Sequence, residues 1–314
     1  MNVSQIKYFV ELCRMQSFSK AAKNMEVSQP ALSLQIQKLE EEFGYLLVDR
    51  NTKPISITAE GALFLEKAQQ IIQLMNDLDQ LSIELEDEVA GQIRVGIIPT
   101  LSPYLVPLVM ELASSRYPDL KVEVVEMVTE TILSELNYNT LDAGIISTPI
   151  RSSGQYAFAP LLYERFYLYV AENNPLYQHS YIQAGEVPSE ELWYLTEGNC
   201  FQNQVNAVCS IPPFDTVKGN FRYISNSIES LKRIVETQGG ITFIPELATL
   251  SVSTEYEDLI KRFKKPEPYR ELSVVYLKNT GMKKLVRAFI ELIQETVPSR
   301  MLEKPVNDPL DTKM

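Results

Sequence analysis

The stretch "EVSQPALSLQIQKLE", Glu26 to Glu40, decides how the N-terminal part of this chain folds. Ser28 is a good helix N-cap, Pro30 suits a first turn where its missing N–H costs nothing, and Leu32, Ile36 and Leu39 recur at helical spacing. The opposite face is unusual. It presents Gln29, Ala31, Ser33, Gln35 and Lys38, short or amide-bearing groups that can approach base edges, where a merely solvated helix would carry Glu and Lys pairs. Upstream, Ile6, Phe9, Val10 and Cys13, then Phe18, Ala21, Ala22 and Met25, predict two more helices, so three helices form a small bundle. Cys13 lies on the apolar stripe and reads as core. Downstream, "VDRNTKPISITAEG" puts Arg50 and Lys53 on a Pro-containing turn between two short extended pieces, a wing that can reach phosphates.

Charge agrees with that placement only when counted locally. The full chain of 314 residues carries 29 Lys and Arg against 41 Asp and Glu, a net charge of -12, which argues against a general nucleic-acid binder. Residues 1–60 hold seven of each sign, so the remainder carries the whole excess and the N-terminal part is the less repulsive end for a phosphate backbone.

From Ala59 the chain runs to Gly91 without a proline, and Phe64, Ala68, Ile71, Met75, Leu78, Ser82, Leu85 and Val89 alternate in steps of three and four. That is a heptad seam. A helix of that length would extend roughly 45 Å and cannot bury its stripe alone, so it predicts a dimer. Beyond Gly91, short β-rich runs alternate with helical ones: "QIRVGIIP", a helix over 102–116, "LKVEVVEMV", a helix over 129–138, and "LDAGIIS". A second round has "RFYLYVAEN", "LWYLTEG", "GNFRYI", a helix over 226–238 and "GITFIP", and the chain closes with "ELSVVYL" and a helix near 282–297. This alternation predicts an α/β region with mostly parallel sheets in two lobes, crossing near Leu162 and Pro268. The stretch "EKPVNDPLDTKM" reads as a flexible tail.

The remaining puzzle is "EGNCFQNQVNAVCSI", Glu197 to Ile211, which holds two of the three cysteines, Cys200 and Cys209. Nine residues apart, they match neither a zinc site nor a Cys-x-x-Cys dithiol. If the segment is helical, its ends stand roughly 13 Å apart at about 1.5 Å per residue, whereas a disulfide needs about 4.4 to 6.8 Å. No basic, apolar leader opens the sequence and no window approaches a membrane span, so the expected setting is the cytoplasm, where cysteines are free thiols by default. No metal, cofactor or membrane partner is expected.

With these pieces in place, the chain resembles a LysR-type transcriptional regulator over nearly its whole length. "FSKAAKNMEVSQPALSLQIQKLEEEFG" carries the helix-turn-helix signature. Within that family it is most similar to the hydrogen-peroxide sensors, through "GNC" with a second cysteine nine positions on, "GIIPTLSPYLVP" after the long helix, and "KPEPYRELSVVY" near the end. The resemblance implies a winged helix-turn-helix DNA-binding domain over 1–58 and a linker and dimerisation helix over 59–90. A two-lobed, periplasmic-binding-protein-like redox-sensing domain would follow over 91–300, with lobe I at 91–162 and 269–300 and lobe II at 163–268, then a flexible tail over 301–314. It also implies a homotetramer on promoter DNA that acts with RNA polymerase to activate antioxidant genes when oxidised, reset by a cellular dithiol. Carried over residue by residue, Cys200 falls on the peroxidatic thiol and Cys209 on the resolving thiol. Thr100 and Thr129 fall on the peroxide-binding pair, Arg270 on the arginine after "KPEP", and Asn199 stands beside the reactive thiol. Some relatives have a histidine before that cysteine and a charged pair after it, where this chain has Asn199, Gln202 and Asn203.

Duller readings stand beside these. Thr100 and Thr129 could cap the helices that follow them. Arg270 could be a surface ion pair with Glu267 or Glu271. The rival functions are a LysR-type regulator that senses a small metabolite between the lobes, its cysteines incidental, and a thiol peroxidase, which would have no use for the helix-turn-helix.

Overall fold

Caps set every helix of the N-terminal bundle. In α1 (Val3–Met15) the Asn2 side chain accepts from the Gln5 N–H while Gln5 returns the bond to the Asn2 N–H. Ser17 caps α2 (Phe18–Asn24), and Ser28 caps α3 (Gln29–Phe43), which ends at Gly44 in the left-handed conformation. The computed structural model describes residues 1–312 except 86–87, 152–153, 196–199, 210–216, 219–220 and 224, and for 79–80, 82–85, 209, 217–218 and 221–222 it describes the backbone alone. Phe9, Leu12, Cys13, Leu32, Ile36 and Leu39 form the bundle core, closed by Leu47 and Val48. Two short antiparallel strands, β1 (Val48–Asp49) and β2 (Ser56–Ile57), bracket the turn that carries Arg50 and Lys53. The long helix α4 (Ala59–Leu85) starts hard against this hairpin, since a Cβ at Gly61 would lie 2.0 Å from the Leu47 carbonyl oxygen.

The predicted heptad seam divides along α4. Ala68 and Ile72 are buried against Ile6 and Val10 of the same chain, with Phe64 packed on them. Leu74, Leu78 and Leu81 are exposed. The N-terminal third of the stripe is therefore used by the bundle, and the unpartnered part runs from Ile71 onward in steps of three and four.

The chain divides into two compact units, one of Met1–Glu88 with Ser134–Leu141 and Asn279–Lys283, the other of Val89–Leu133 with Asp142–Lys278 and Lys284–Met314. After α4 come β3 (Gly91–Ile97), α5 (Ser102–Arg116), β4 (Leu120–Glu126), α6 (Thr129–Asn137), whose last turn falls in the first unit, and β5 (Ala143–Thr148). After β6 (Tyr156–Val170) come β7 (Tyr181–Ile182), α7 (Cys200–Cys209), β8 (Val217–Lys218), β9 (Phe221–Arg222), α8 (Ile228–Gln238), β10 (Ile241–Pro245) and α9 (Glu246–Thr249). The series ends with β11 (Ile260–Phe263), β12 (Tyr269–Leu277) and α10 (Lys283–Thr296).

The main sheet has the order β4-β3-β5-β12-β6-β11-β7, with β10 also pairing β6. Its strands are less parallel than expected. β3 pairs in parallel with β4 and β5, but β12 runs antiparallel to both β5 and β6, and β10 and β11 run antiparallel to β6. Helix–strand alternation implies parallel pairing only where each helix is a crossover. Here β12 returns from the far half of the unit and inserts between β5 and β6, which reverses its direction. "LWYLTEG" also departs from its strand assignment, contributing only an isolated bridge from Leu192 to Ile241, with 196–198 outside the described residues.

The C-terminal segment departs further. Composition predicts a flexible tail over 303–314 and the resemblance one over 301–314, yet Met301 and Thr312 are buried. The Tyr269 hydroxyl donates to the Asn307 carbonyl at 2.6 Å, and the Leu310 N–H donates to the Tyr269 carbonyl at 3.0 Å. A polar, Pro-rich segment orders when the rest of the fold supplies partners for its backbone, and composition alone does not reveal that.

Candidate redox site and nucleic-acid interface

Cys200 is the first residue of α7, and its side chain is 4% exposed. Helix α6 begins at Thr129, which is buried and places its hydroxyl 3.3 Å from the Cys200 sulfur. Close packing of α6 on the sheet fixes that distance: a Cβ at Gly144 in β5 would lie 2.2 Å from Ile132 Cγ2, one turn along α6. Thr100, also buried, precedes α5. Its hydroxyl accepts from Arg270 Nη1 at 2.8 Å and its carbonyl accepts from Nη2 at 3.3 Å.

Arg270 is no surface ion pair. It is fully buried, lies 2.6 Å from Glu164 through Nη2, and donates from Nε to the same carboxylate at 2.8 Å. Its guanidinium stacks 5.0 Å from the centre of the Phe201 ring, and Phe201 packs on Phe166 at 4.9 Å. Glu164 is the residue that sequence reasoning missed. The available signal was an acid inside the otherwise aromatic and aliphatic run "LLYERFYLYV". Burial pushes its carboxyl up, while Arg270 and the Leu247 N–H, at 2.9 Å, pull it back toward the charged form. The Arg270 charge is therefore largely answered by Glu164 before it reaches the sulfur.

Burial raises the Cys200 thiol above its ordinary pKa, opposed by the Thr129 hydroxyl, and a more modest upward push comes from Glu130. Arg270 and the backbone N–H of Cys200 itself pull in the lowering direction. The resting site thus holds a protonated thiol surrounded by groups that stabilise its anion. Cys209 closes the same helix, so the two cysteines stand at its opposite ends, roughly 13 Å apart by the helical rise. Asn199 lies outside the described residues. Cys13 sits in the N-terminal core, where burial pushes it up to about 12, and takes no part.

The polar residues of α7 each have a role. Gln202 accepts from the Leu195 N–H at 2.9 Å, Asn203 donates to the Thr312 carbonyl at 3.1 Å, and Gln204 donates to the Leu310 carbonyl at 2.9 Å. Gln204 also donates to the Ser147 hydroxyl at 3.1 Å.

In the N-terminal unit, the cap Ser28 and Gln29, Pro30, Ala31 and Lys38 of α3 are exposed, with Ser33 and Gln35 half-buried. Gln29 accepts from the Ser19 hydroxyl at 3.1 Å, and Gln35 accepts from the Gln5 amide at 3.3 Å, so neighbouring helices orient both amides. Ser19 brings the start of α2 beside that of α3, a role that spacing did not reveal. Lys53 is exposed, but Arg50 is tied 2.7 Å from Glu40 and stacks on Phe18. Glu40 also accepts from the Leu47 N–H at 2.9 Å, so this ion pair fastens the hairpin to α3.

Residues 3–62 match the bacterial regulatory helix-turn-helix protein, lysR family, and residues 86–298 match the LysR substrate binding domain. The chain is 30% identical over 299 residues to the hydrogen peroxide-inducible genes activator of Haemophilus influenzae, covering 95% of this chain and 98% of that one. It is 28% identical over 301 residues to the DNA-binding transcriptional dual regulator OxyR of Escherichia coli, covering 96% of each. Among solved structures, a full-length OxyR variant from Pseudomonas aeruginosa superposes with a TM-score of 0.78 at 25% identity, over 98% of this chain and 99% of that one. Reduced OxyR from Porphyromonas gingivalis superposes with a TM-score of 0.62 at 31% identity, over 69% of this chain and 98% of that one. The chain belongs to the LysR family of transcriptional regulators, in its OxyR branch.

Proposed function

We propose that this DNA-binding regulator is a sensor of hydrogen peroxide that activates antioxidant genes when Cys200 and Cys209 join in a reversible disulfide. The observation that carries the reading is the Cys200 thiol, buried at the start of α7 with the Thr129 hydroxyl 3.3 Å from its sulfur and the Arg270–Thr100 pair in the same unit. A thiol held for packing alone needs no hydroxyl donor and no buried guanidinium, each of which has a desolvation cost.

In the first step the Cys200 thiolate attacks one peroxide oxygen. The O–O bond breaks, sulfur loses two electrons to the peroxide, and the leaving hydroxide takes up a proton to depart as water, which leaves a sulfenic acid. Thr129 and Thr100 donate to or accept from the peroxide oxygens, and Arg270 orients Thr100. Cys209 then attacks the sulfenic sulfur. Its thiol proton leaves with the displaced hydroxide as a second water, and the disulfide remains. A cellular dithiol restores both thiols by exchange and is itself oxidised to a disulfide. Each cycle of oxidation and reset consumes one peroxide and one dithiol per protein, and the chain is read as a regulator and not as a peroxidase.

Geometry supports a switch over a staple. The disulfide cannot form while α7 is helical from end to end, so oxidation must remodel that helix. At the other unit, Ser28, Gln29, Pro30, Ala31, Ser33, Gln35 and Lys38 would read promoter DNA, and Lys53 would meet phosphate, while Arg50 supports the wing. The exposed stripe of α4 would join two copies, with a homotetramer, contact with RNA polymerase and a cytoplasmic setting completing the reading.

A peptide map of the reduced protein after one equivalent of hydrogen peroxide, with free thiols blocked, tests this. A Cys200–Cys209 cross-link that a Cys200→Ser variant lacks and a dithiol reverses is the expected result. Both thiols recovered free would refute it and favour a metabolite between the lobes.

A further inference from the structure

The segment after α10 makes its polar contacts in an uneven pattern. Residues 302–306 are mostly exposed, and Val306 fully so. From Asn307 onward the backbone is held at Asn307, Leu310 and Thr312. Asn307 accepts from Tyr269, Leu310 donates to Tyr269, and the Leu310 and Thr312 carbonyls accept from Gln204 and Asn203. The Thr312 hydroxyl, fully buried, donates to the Pro149 carbonyl. This short run therefore spans from β12, the strand that carries Arg270, to the middle of α7, and ends against the residue after β5.

We infer that residues 307–312 are a strap that holds α7 in its helical, reduced packing, and that Asn203 and Gln204 are its anchors and set how oxidising the surroundings must be before the switch turns. The inference rests on the proposed peroxide chemistry. Asn203 and Gln204 lie between the two cysteines, in the segment that must unwind if the sulfurs are to meet. Bonds from the tail to these two side chains fit the helix as it stands and cannot all survive that change. The strap therefore favours the dithiol over the disulfide. The neutral amides of Gln202 and Asn203 are both occupied in hydrogen bonds. Gln204, fully buried, is bonded at once to the tail and to Ser147 of β5. It acts as a positioning residue, through the tail and Ser147.

The sign of the effect follows from which state the strap stabilises. Oxidation of the two thiols by hydrogen peroxide, through the sulfenic acid, gives the disulfide and two waters, and the strap bonds are lost on the disulfide side. Removing them destabilises only the reduced state. The disulfide then forms under milder conditions and is harder to reduce.

The test uses the full chain, a chain ending at Asp308, Gln204→Leu and, as a control, Val306→Ala. Each is equilibrated in dithiothreitol buffers of graded ratio, and the Cys200–Cys209 cross-link is read by mass spectrometry. Amide hydrogen exchange of residues 200–209 is measured on the reduced proteins. Loss of one to two hydrogen bonds should move half-oxidation to a ratio of oxidised to reduced dithiothreitol about tenfold lower. Tenfold is about 30 mV for this two-electron couple. The exchange of α7 should quicken about tenfold in the same two variants, and Val306→Ala should match the unaltered chain in both readouts. Equal midpoints and equal α7 exchange in the shortened chain and the unaltered one would overturn the strap. If the shortened chain does not fold, Gln204→Leu decides by the same criteria. If peroxide gives no cross-link even in the unaltered chain, the peroxide reading itself fails, and exchange alone then shows whether the tail restrains α7.

Discussion

The bundle that presents α3 and the pocket that holds Cys200 draw their supports from very different distances along the chain. Ser28 caps α3 three residues from the amide it accepts, and Glu40 bonds to Leu47, Val48 and Arg50 at separations of 7, 8 and 10 residues. Thr129 meets Cys200 across 71 residues, Arg270 meets Glu164 across 106, and Arg270 meets Thr100 across 170. Local supports form with little loop-closure entropy and leave a mark in a short stretch of sequence. Remote ones exist only once the sheet is assembled. The difference also lies in chemistry: the bundle keeps its buried Glu40 beside a half-exposed Arg50, whereas the pocket hides both members of an ion pair.

That contrast can be broken most severely at the buried pair. Replacing Glu164 by Ala leaves the Arg270 charge without its partner and should cost about 3–5 kcal/mol. The chain's single tryptophan, Trp193, lies in the same unit, so urea unfolding followed by its fluorescence reads the loss. A double change to apolar residues, Glu164→Leu with Arg270→Met, should recover most of it. A loss below about 1 kcal/mol in the single variant would mean that solvent reaches the site.

A smaller effect is expected from Gly144→Ala, where the new methyl group meets Ile132 and must push α6 outward, at about 1–3 kcal/mol. Thr129 moves with the helix, so the peroxide oxidation rate of Cys200 should fall in the same variant. An unchanged rate would show that the hydroxyl is not needed at its present distance.

Ser28→Ala sharpens the comparison from the other side. The lost cap should cost about 1 kcal/mol and weaken DNA binding, with the Trp193 transition unmoved. A shift in that transition would mean the two units do not unfold independently.

The smallest expected change comes from pH. Burial raises the Cys200 thiol, and only the thiolate attacks peroxide, so the oxidation rate should still climb with pH above about 8.5, where an ordinary cysteine is already half ionised. A rate that levels off below neutral pH would show that the neighbouring hydroxyl and cation dominate burial.

How much can be read from the sequence follows the same division. Helices at 102–116, 129–138 and 226–238 fall within a residue or two of α5, α6 and α8, because helix formation is decided by residues close in the sequence, as with the Ser227 cap of α8. The wing is equally plain from Pro54 and its flanks. The cysteine pair, the two threonines and Arg270 are legible through family resemblance, but the partner of Arg270 is not, since nothing in "KPEPYRELSVVY" points to a carboxylate 106 residues earlier. Strand direction around β12 escapes the sequence because alternation reports the order of elements and not which neighbour each strand chooses. The order of the tail escapes it because the bonds there are made by backbone, which composition does not describe.

One strand gives the sensing unit its mechanical character. β6 extends over 15 residues, about 50 Å of extended chain, pairing with β12 along Tyr156 to Arg165, with a register shift at Leu161, and with β10 from Phe166 onward. The two halves of the unit therefore share a beam and have no loose connector between them along this strand. Bending such a beam breaks ladder bonds, whereas twisting it about its own axis only strains them, so rotation is the compliant motion. The pairing changes hands at Arg165 and Phe166. Phe201 of α7 is packed on Phe166 at that point. If oxidation remodels α7 as proposed, the Phe201 contact at this junction is released, and a change at one sulfur is passed to the strand that both halves share.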